Sequence, residues 1–410
     1  MRVLLLSQHY WPESFAINEV AAALSDQGCQ VTVLTGKPNY PEGQVFPGYR
    51  VRGVQREHHQ ACEIVRVPLL PRGQGGALRL ALNYLSFIVA ASLLGPWALR
   101  GRSFDVILVY GTSPVLQALA AIALKRIKRV PLVTWVQDLW PESLELTGYV
   151  RSKRLLAATA VVVAWIYRRC DLLLVQSRGF MEPVQALAGS TPVRYHPNPG
   201  RALAPRSPGA MPALGGGFKI VFAGNLGRAQ GLHTVLQAAQ LLGPESDIRW
   251  VLVGSGARLD WLAEQVRLRG LELQVLLPGR FDPAQMPAIY EQADVLLVSL
   301  GRNPALSRTI PSKLQEYLGA GRPVLAALDG EGAMLVNESG AGLACPAEDA
   351  AALAAAAQQL QRCSAAERAA MAEAGRRCYE EQFAPVPLAR AMCAHLASVC
   401  TGDPERESCP

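Results

Sequence analysis

The feature that most constrains this chain is a pattern that runs, stops and starts again. In the first half, near-continuous runs of Val, Ile and Leu alternate with helix-like stretches: "VLLLS" (3–7), "QVTVLTG" (30–36), "EIVRVP" (63–68), "DVILVYG" (105–111), "PLVTWVQD" (131–138), "DLLLVQS" (171–177) and "VRYHPN" (193–198). Runs that do not alternate with polar residues belong to parallel strands covered on both faces. Between the first two lies "NEVAAALSDQG", a helix ending on Gly28. The segment "NPGRALAPRSPGAMPALGGG" (198–217) then interrupts the pattern; rich in Pro and Gly, it reads as an interdomain linker. The pattern resumes with "KIVFAGN" (219–225), "WVLVGSG" (250–256), "QVLLPG" (274–279), "ADVLLVSL" (293–300), "PVLAALD" (323–329) and "GLACP" (342–346), and the Ala-rich 348–383 reads as helices. A chain of 410 residues is comfortable as two domains. The boundaries fall at 1–200 and 201–384, with a tail or helix at 385–410 returning toward the first domain. Ligands of such sheets bind beyond the carboxyl ends of the strands, so two facing α/β domains imply a cleft between them.

The net charge of +7 is unevenly placed: residues 1–200 hold 21 Lys and Arg against 12 Asp and Glu, and residues 201–410 hold 19 against 21. A basic first domain suits an anionic membrane surface or a phosphorylated substrate. Nucleic acid is disfavoured, because the cations lack interleaved aromatics or a reader motif. Nine scattered cysteines, with no C-x-x-C and no Cys/His cluster at ligand spacing, predict free thiols in a reducing compartment and no metal. The N-terminal "MRVLLLSQHYWPES" has a short apolar run of strand character and does not read as a signal peptide. Residues 80–99, "LALNYLSFIVAASLLGPWAL", carry no charge and match the ~20 residues of a membrane span. Asn83, Ser86, Ser92 and Gly95-Pro96 argue against one, leaving a buried helix or a helix dipping into one leaflet as the main readings. Phe87, Ile88 and Leu93 are expected to carry salt-resistant membrane attachment. Lys125 to Arg129, Arg151 to Arg154, and Arg168 with Arg169 form the basic clusters that would add to it.

The stretch "TIPSKLQEYLGAGRPVL" (309–325) is the strongest chemical signal. Ser312 and Gln315 have capping-box spacing, so a helix begins there. Its free N–H groups, with Lys313 and the nearby Arg308, form an anion site suited to a diphosphate. Glu316, one turn deeper, can accept two hydroxyl hydrogen bonds, as from a ribose. Gly319 and Gly321 end the helix. The preceding loop, 301–311, is longer than the ~2–6 residues usual between strand and helix.

Here the chain resembles the retaining glycosyltransferases of family 4, with the GT-B fold: two Rossmann-like α/β domains facing an interdomain cleft. In that family a helix at this point binds the nucleotide-sugar diphosphate and its Glu binds the ribose. The family's usual E-x7-E pattern is matched at its second acid by Glu316, while Arg308 stands where the first would be. "PSKLQEYLGAGRPVL", "WVQDLWPESLE", "GKPNYPEG" and "ALNYLSF" look like the bacterial surface-polysaccharide branch, O-antigen and capsule enzymes that transfer an N-acetylated deoxyamino sugar such as N-acetylfucosamine. The resemblance implies a UDP-sugar donor bound by the second domain and a lipid-linked glycan acceptor bound by the first. It also implies front-side attack without an enzymic nucleophile, no cofactor, and peripheral attachment to the inner face of the cytoplasmic membrane.

Residue by residue, "VFAGNLGRAQGL" (221–232) matches the family's Gly-rich donor loop, with Gly224 and Gly227 admitting a phosphate. Asn225 and Gln230 replace the Arg and Lys that many members place there, and Arg228 is the substitute cation. Gly254 sits in a similar strand-end turn, and "LPGRF" (277–281), with Arg280, matches the nucleobase position. In the first domain Asp138, at the end of a buried-type strand, is the candidate catalytic-site acid for the transferred sugar or the acceptor, with an ordinary N-cap as its plain alternative. His9, Asn18 and Glu142 are the sugar or acceptor candidates. No D-x-D occurs, so helix N-termini and cations must stabilise the leaving diphosphate. Two rival readings stand beside transfer: a GT-B nucleotide-sugar epimerase, needing an acid/base pair and no acceptor, and a non-catalytic saccharide-binding protein.

Overall fold

The computed structural model describes residues 1–73, 76–146, 152–200 and 214–401. Most of the linker 198–217, Arg151 of the basic clusters and residues 402–410 of the tail lie outside the described residues. The chain divides into two compact units, one of residues 1–199 with 385–410, the other of residues 200–384.

The first unit runs β1 (Arg2–Leu6), α1 (Ile17–Asp26), β2 (Gln30–Gly36), β3 (Gln55–His59), β4 (Cys62–Val67), α2 (Ala77–Ala98), β5 (Val106–Gly111) and α3 (Ala118–Lys128). It continues with β6 (Leu132–Val136), α4 (Glu142–Leu146), α5 (Lys153–Tyr167), β7 (Leu172–Val175), α6 (Met181–Ala188) and β8 (Val193–Tyr195). The strands form one sheet in the order β3-β4-β2-β1-β5-β6-β7-β8, parallel except for β3 against β4. The apolar runs have their expected cause. Leu4 and Leu6 enter one core layer with α2, α3, α5 and α6, while Val3 and Leu5 enter the opposite layer with α1. Both faces are buried, so both parities are apolar.

Strand β3, "QREHH", carries no apolar signal, so the hydrophobic pattern does not predict it. It is an edge strand, and its Glu57 pairs with the fully buried Arg66 of β4. Arg66 also donates to the carbonyls of Gly36 and Trp11. A buried guanidinium needs such partners, and this polar edge supplies one.

The second unit runs β9 (Phe218–Asn225), α7 (Leu232–Leu242), β10 (Ile248–Ser255), α8 (Leu259–Leu268), β11 (Val275–Gly279), α9 (Met286–Gln292) and β12 (Val295–Ser299). Then come α10 (Ser312–Ala320), β13 (Val324–Ala327), α11 (Glu331–Ser339), β14 (Gly342–Cys345), α12 (Ala350–Arg362) and α13 (Ala365–Gln382). Its sheet has the order β11-β10-β9-β12-β13-β14, all parallel, with helices on both faces. This is a doubly wound sheet whose order reverses between β9 and β12, the place where such sheets take ligands. The last helix, α14 (Pro385–Thr401), belongs to the first unit, where Met392 and Leu396 join the layer of α1.

The uncharged run 80–99 lies almost wholly in α2. The expectation for Phe87 and Ile88 is corrected: Phe87 is fully buried and Ile88 nearly so, in one stripe with Asn83, Ala91, Gly95 and Ala98. Leu93, 71 % exposed, lies on the other side. Phe87→Ala is therefore expected to cost about 3–5 kcal/mol of stability through the cavity it leaves. Leu93→Ala should cost under about 0.5 kcal/mol. Chemical denaturation of the two variants measures the contrast, and equal losses would refute the assigned helix phase.

Candidate functional site

In the second unit the site is built at the carboxyl ends of β9, β10 and β12. Gly224 and Gly254 are register partners in β9 and β10, with φ of +143° and +141°. A Cβ on Gly254 would collide with the carbonyl of Gly224, and one on Gly224 would collide with Cε of Lys313. Only glycine allows the strand ends to approach each other and the lysine this closely. Gly301 N–H donates to Ala229 O at 2.8 Å, so the loop after β12 touches the turn after β9.

Helix α10 delivers the charged groups. Pro311 occupies its N-cap and no side chain caps the first turn, so the expected Ser312/Gln315 capping box does not form. Ser312 is the first helical residue and Gln315 is buried, unable to reach back. Leu314 N–H bonds to Pro311 O at 2.9 Å, and the N–H groups of Ser312 and Lys313 keep their partial positive charge for a ligand.

Lys313 crosses from this turn to Gly224, with Nζ 3.8 Å from the Phe222 ring centre. Its Nζ is buried and has no hydrogen-bond partner among the described residues. Burial pulls its pKa from 10.5 down to about 8, opposed by the attraction of Glu316. A buried ammonium without an acceptor is costly, and an anion is the group that would satisfy it.

Glu316, partly buried one turn deeper, accepts from Tyr290 Oη at 2.8 Å through Oε1. Tyr290 packs edge-on to Tyr317 with ring centres 5.4 Å apart. Tyr317 Oη in turn accepts from Ala223 N–H at 2.8 Å and reaches Ala223 O at 3.2 Å. Tyr290 and Tyr317 thus tie α9 and α10 to β9 and hold Glu316 in place; the sequence offered no spacing signal for Tyr290. Gly319 lies inside the last turn of α10 against the Tyr379 ring, and Gly321 alone, with φ of +66°, terminates the helix.

The other second-unit candidates lie on strand-end turns and loops. Asn225 is exposed, with its amide against Gly227 and Gly256. Arg228 is exposed in the turn after β9, Arg280 follows the edge strand β11, and Arg308 is exposed in the loop before α10. The three guanidinium groups make no ion pair among the described residues.

In the first unit, His9 follows β1 and is buried, stacked on Phe15 with ring centres 5.0 Å apart. Its Nδ1 lies 3.1 Å from Glu13, whose buried carboxylate also accepts from the N–H groups of Asn39 at 2.8 Å and Tyr40 at 2.7 Å. Glu13, missed by the sequence reading, therefore fixes the ring orientation of His9. Asn18, in the first turn of α1, ties that helix to the same loop: Nδ2 donates to Glu13 O and Oδ1 accepts from Trp11 N–H.

Asp138, just beyond β6, is not the N-cap of α4; its Oδ2 accepts from Ser113 N–H at 2.8 Å and so joins two strand-end loops. Glu142 opens α4, partly buried. The neighbouring Gln137 is buried, with Oε1 accepting from Asn198 at 2.7 Å and Nε2 lacking a partner among the described residues. Asn83 of "ALNYLSF" bonds to Gln8 and to Asn39 of "GKPNYPEG". Those stretches hold one another in place through buried amides. Among the described residues no group of three or more His, Cys, Asp or Glu side chains is placed to hold a metal ion, and the eight described cysteines of the nine form no disulfide with one another.

Comparison with known proteins agrees with this geometry. Residues 14–200 match the family model described as Glycosyl transferase 4-like domain, and residues 217–362 match Glycosyl transferases group 1. The chain is 28% identical over 346 residues to the Escherichia coli (strain K12) protein named as a colanic acid biosynthesis glycosyl transferase, WcaI, covering 78% of this chain and 82% of the relative. Among solved structures, sucrose-phosphate synthase of Thermosynechococcus elongatus superposes with a TM-score of 0.72 at 20% identity, over 98% of this chain and 99% of that one. Anabaena HepE in complex with UDP superposes with a TM-score of 0.69 at 16% identity, over 97% and 100%.

Proposed function

We propose that this chain, a GT-B glycosyltransferase, moves a sugar from UDP-sugar to a lipid-linked glycan with retention at the anomeric carbon, in the assembly of a bacterial surface polysaccharide. One observation carries the donor reading: the buried, unpartnered ammonium of Lys313, laid against Gly224 beside the uncapped start of α10, with Glu316 one turn deeper. The spacing fits a diphosphate followed by a ribose. Lys313 then does the work of the Arg and Lys replaced by Asn225 and Gln230. A UDP complex in a structural neighbour and the colanic acid biosynthesis name of a relative support the donor and the pathway class.

The transferred sugar is an N-acetylated deoxyamino sugar, on the resemblance of the first-unit stretches alone. Asp138 and His9 follow strand ends and Glu142 opens α4, where sugar or acceptor hydroxyls would be met. No side chain is assigned as a nucleophile; the leaving phosphate takes the acceptor proton. Its charge is stabilised by Lys313 and the α10 N–H groups.

The test is incubation of the purified protein with a panel of UDP-sugars and lipid-linked acceptors, with and without EDTA. Transfer with retained anomeric configuration and unchanged rate in EDTA is expected. Strict metal dependence would contradict the assigned role of the cations. Epimerisation without acceptor would identify the epimerase reading, and UDP binding without turnover the saccharide-binding one.

A further inference from the structure

We infer that the outer face of α2, α3 and α5 is a docking surface for an anionic phospholipid bilayer. On α2, Leu78, Leu82, Leu85, Val89, Leu93 and Trp97 are all exposed. They recur at steps of three or four residues and so form one stripe. The opposite stripe, from Asn83 to Ala98, packs on the sheet. Helix α3, beside α2, exposes Ile127, and α5 exposes Leu155, Val161 and Trp165. The three helices bury their inner faces in one core layer, so these side chains open on the same side of the first unit. Trp97 is 66 % exposed and Val161 70 %. Apolar exposure on this scale marks an interaction site.

Charge identifies the partner. None of the three helices contains an Asp or Glu. Arg79, Arg100, Arg126, Lys153 and Arg154 flank or punctuate them and make no ion pair among the described residues. Arg169 lies 3.7 Å over the ring of Trp165. That pairing joins an apolar ring to a phosphate-seeking guanidinium, as suits a headgroup layer. A second copy of this chain would bring the same cations against each other, whereas an anionic bilayer answers them.

Helix α2 is long and apolar enough to cross a membrane. Its inner stripe belongs to the core, however, so it can enter only sideways, as an interfacial helix does. The surface deepens the proposed function and rests on it for its purpose, since a lipid-linked acceptor lies in such a bilayer.

The test is flotation of the full chain with vesicles of phosphatidylglycerol and phosphatidylethanolamine, against phosphatidylcholine alone. Binding to the anionic vesicles is expected to weaken in salt but persist. The set Leu85→Ser, Leu93→Ser, Trp97→Ser, Val161→Ser should lower the bound fraction at high salt at least tenfold. Leu273→Ser, on an equally exposed leucine of the second unit, should not. The proposal is overturned if the wild type stays in the supernatant at low salt, if neutral vesicles bind it equally, or if the fourfold variant floats like the wild type. A dimer in solution that dissociates in that variant would also overturn it. UDP calorimetry on the same samples separates the two ideas. Lost flotation with intact UDP binding fails the surface alone; lost UDP binding with intact flotation fails the donor reading alone.

Discussion

Lys313→Met is expected to act in two opposite directions: it removes most of the affinity for UDP and raises the stability of the unliganded protein. The ammonium is buried against Phe222 and Gly224 without an acceptor. A charge-assisted hydrogen bond to phosphate contributes about 1.5–3 kcal/mol, so UDP should bind roughly tenfold to a hundredfold more weakly. Uridine, lacking the phosphates, should be nearly unaffected.

The stability effect has the other sign. The folded pKa of Lys313 lies at about 8, below its ordinary 10.5. Below pH 8 both folded and unfolded chains carry the proton, and the fold bears the full cost of the buried charge, roughly 3 kcal/mol from the linkage relation. Between pH 8 and 10.5 the unfolded chain binds more protons, so wild-type stability from this group rises with pH. Methionine, similar in length and apolar, removes the cost. Thermal melts at pH 7 should therefore show a higher Tm for the variant without UDP and a smaller UDP-induced rise. In the wild type, UDP affinity should fall as pH climbs past about 8, the pKa of the unliganded lysine, and level off above the liganded pKa, which the diphosphate raises. Equal weakening of UDP and uridine, or a lower Tm, would place the diphosphate elsewhere, with Arg308 and Arg228 the next cations to test.

The sequence made the two sheets legible because their strands are buried on both faces, which leaves unbroken Val, Ile and Leu runs such as 106–109 and 172–175. Where that condition fails, the signal fails. Strand β3 lies at an edge and reads as polar, because Glu57 serves the buried Arg66. Helix α2 failed for a different reason. It is apolar on nearly every side, so its pattern has no phase, and Phe87 and Leu93 look alike until the sheet is placed beneath one of them. In the candidate site, the order Lys313 then Glu316 was legible as an anion group followed by a hydroxyl acceptor. The capping box was not, since S-x-x-Q spacing cannot tell an N-cap from a first helical residue, and Pro311 took the cap. Tyr290, 26 residues from Glu316, and the approach of Lys313 to Gly224 exist only once β9, α9 and α10 are assembled.

Glu316→Ala is expected to weaken UDP by roughly 1–3 kcal/mol, the scale of lost hydrogen bonds to a charged acceptor. The specific signature lies in the ribose. Oε1 is already engaged by Tyr290 at 2.8 Å, so the carboxylate is held from one side and offers its remaining capacity outward. A diol bound there should make 2′-deoxy-UDP weaker than UDP in the wild type, and that difference should vanish in Glu316→Ala. Tyr290→Phe leaves the carboxylate but removes its tether; a smaller loss of UDP affinity, with the preference for ribose retained, is expected because the charge persists while its orientation loosens. Calorimetry with both nucleotides on the three proteins decides the matter. If Glu316→Ala keeps the wild-type preference for UDP over its deoxy form, the carboxylate does not touch the ribose, and Glu316 serves only to tie α10 to α9.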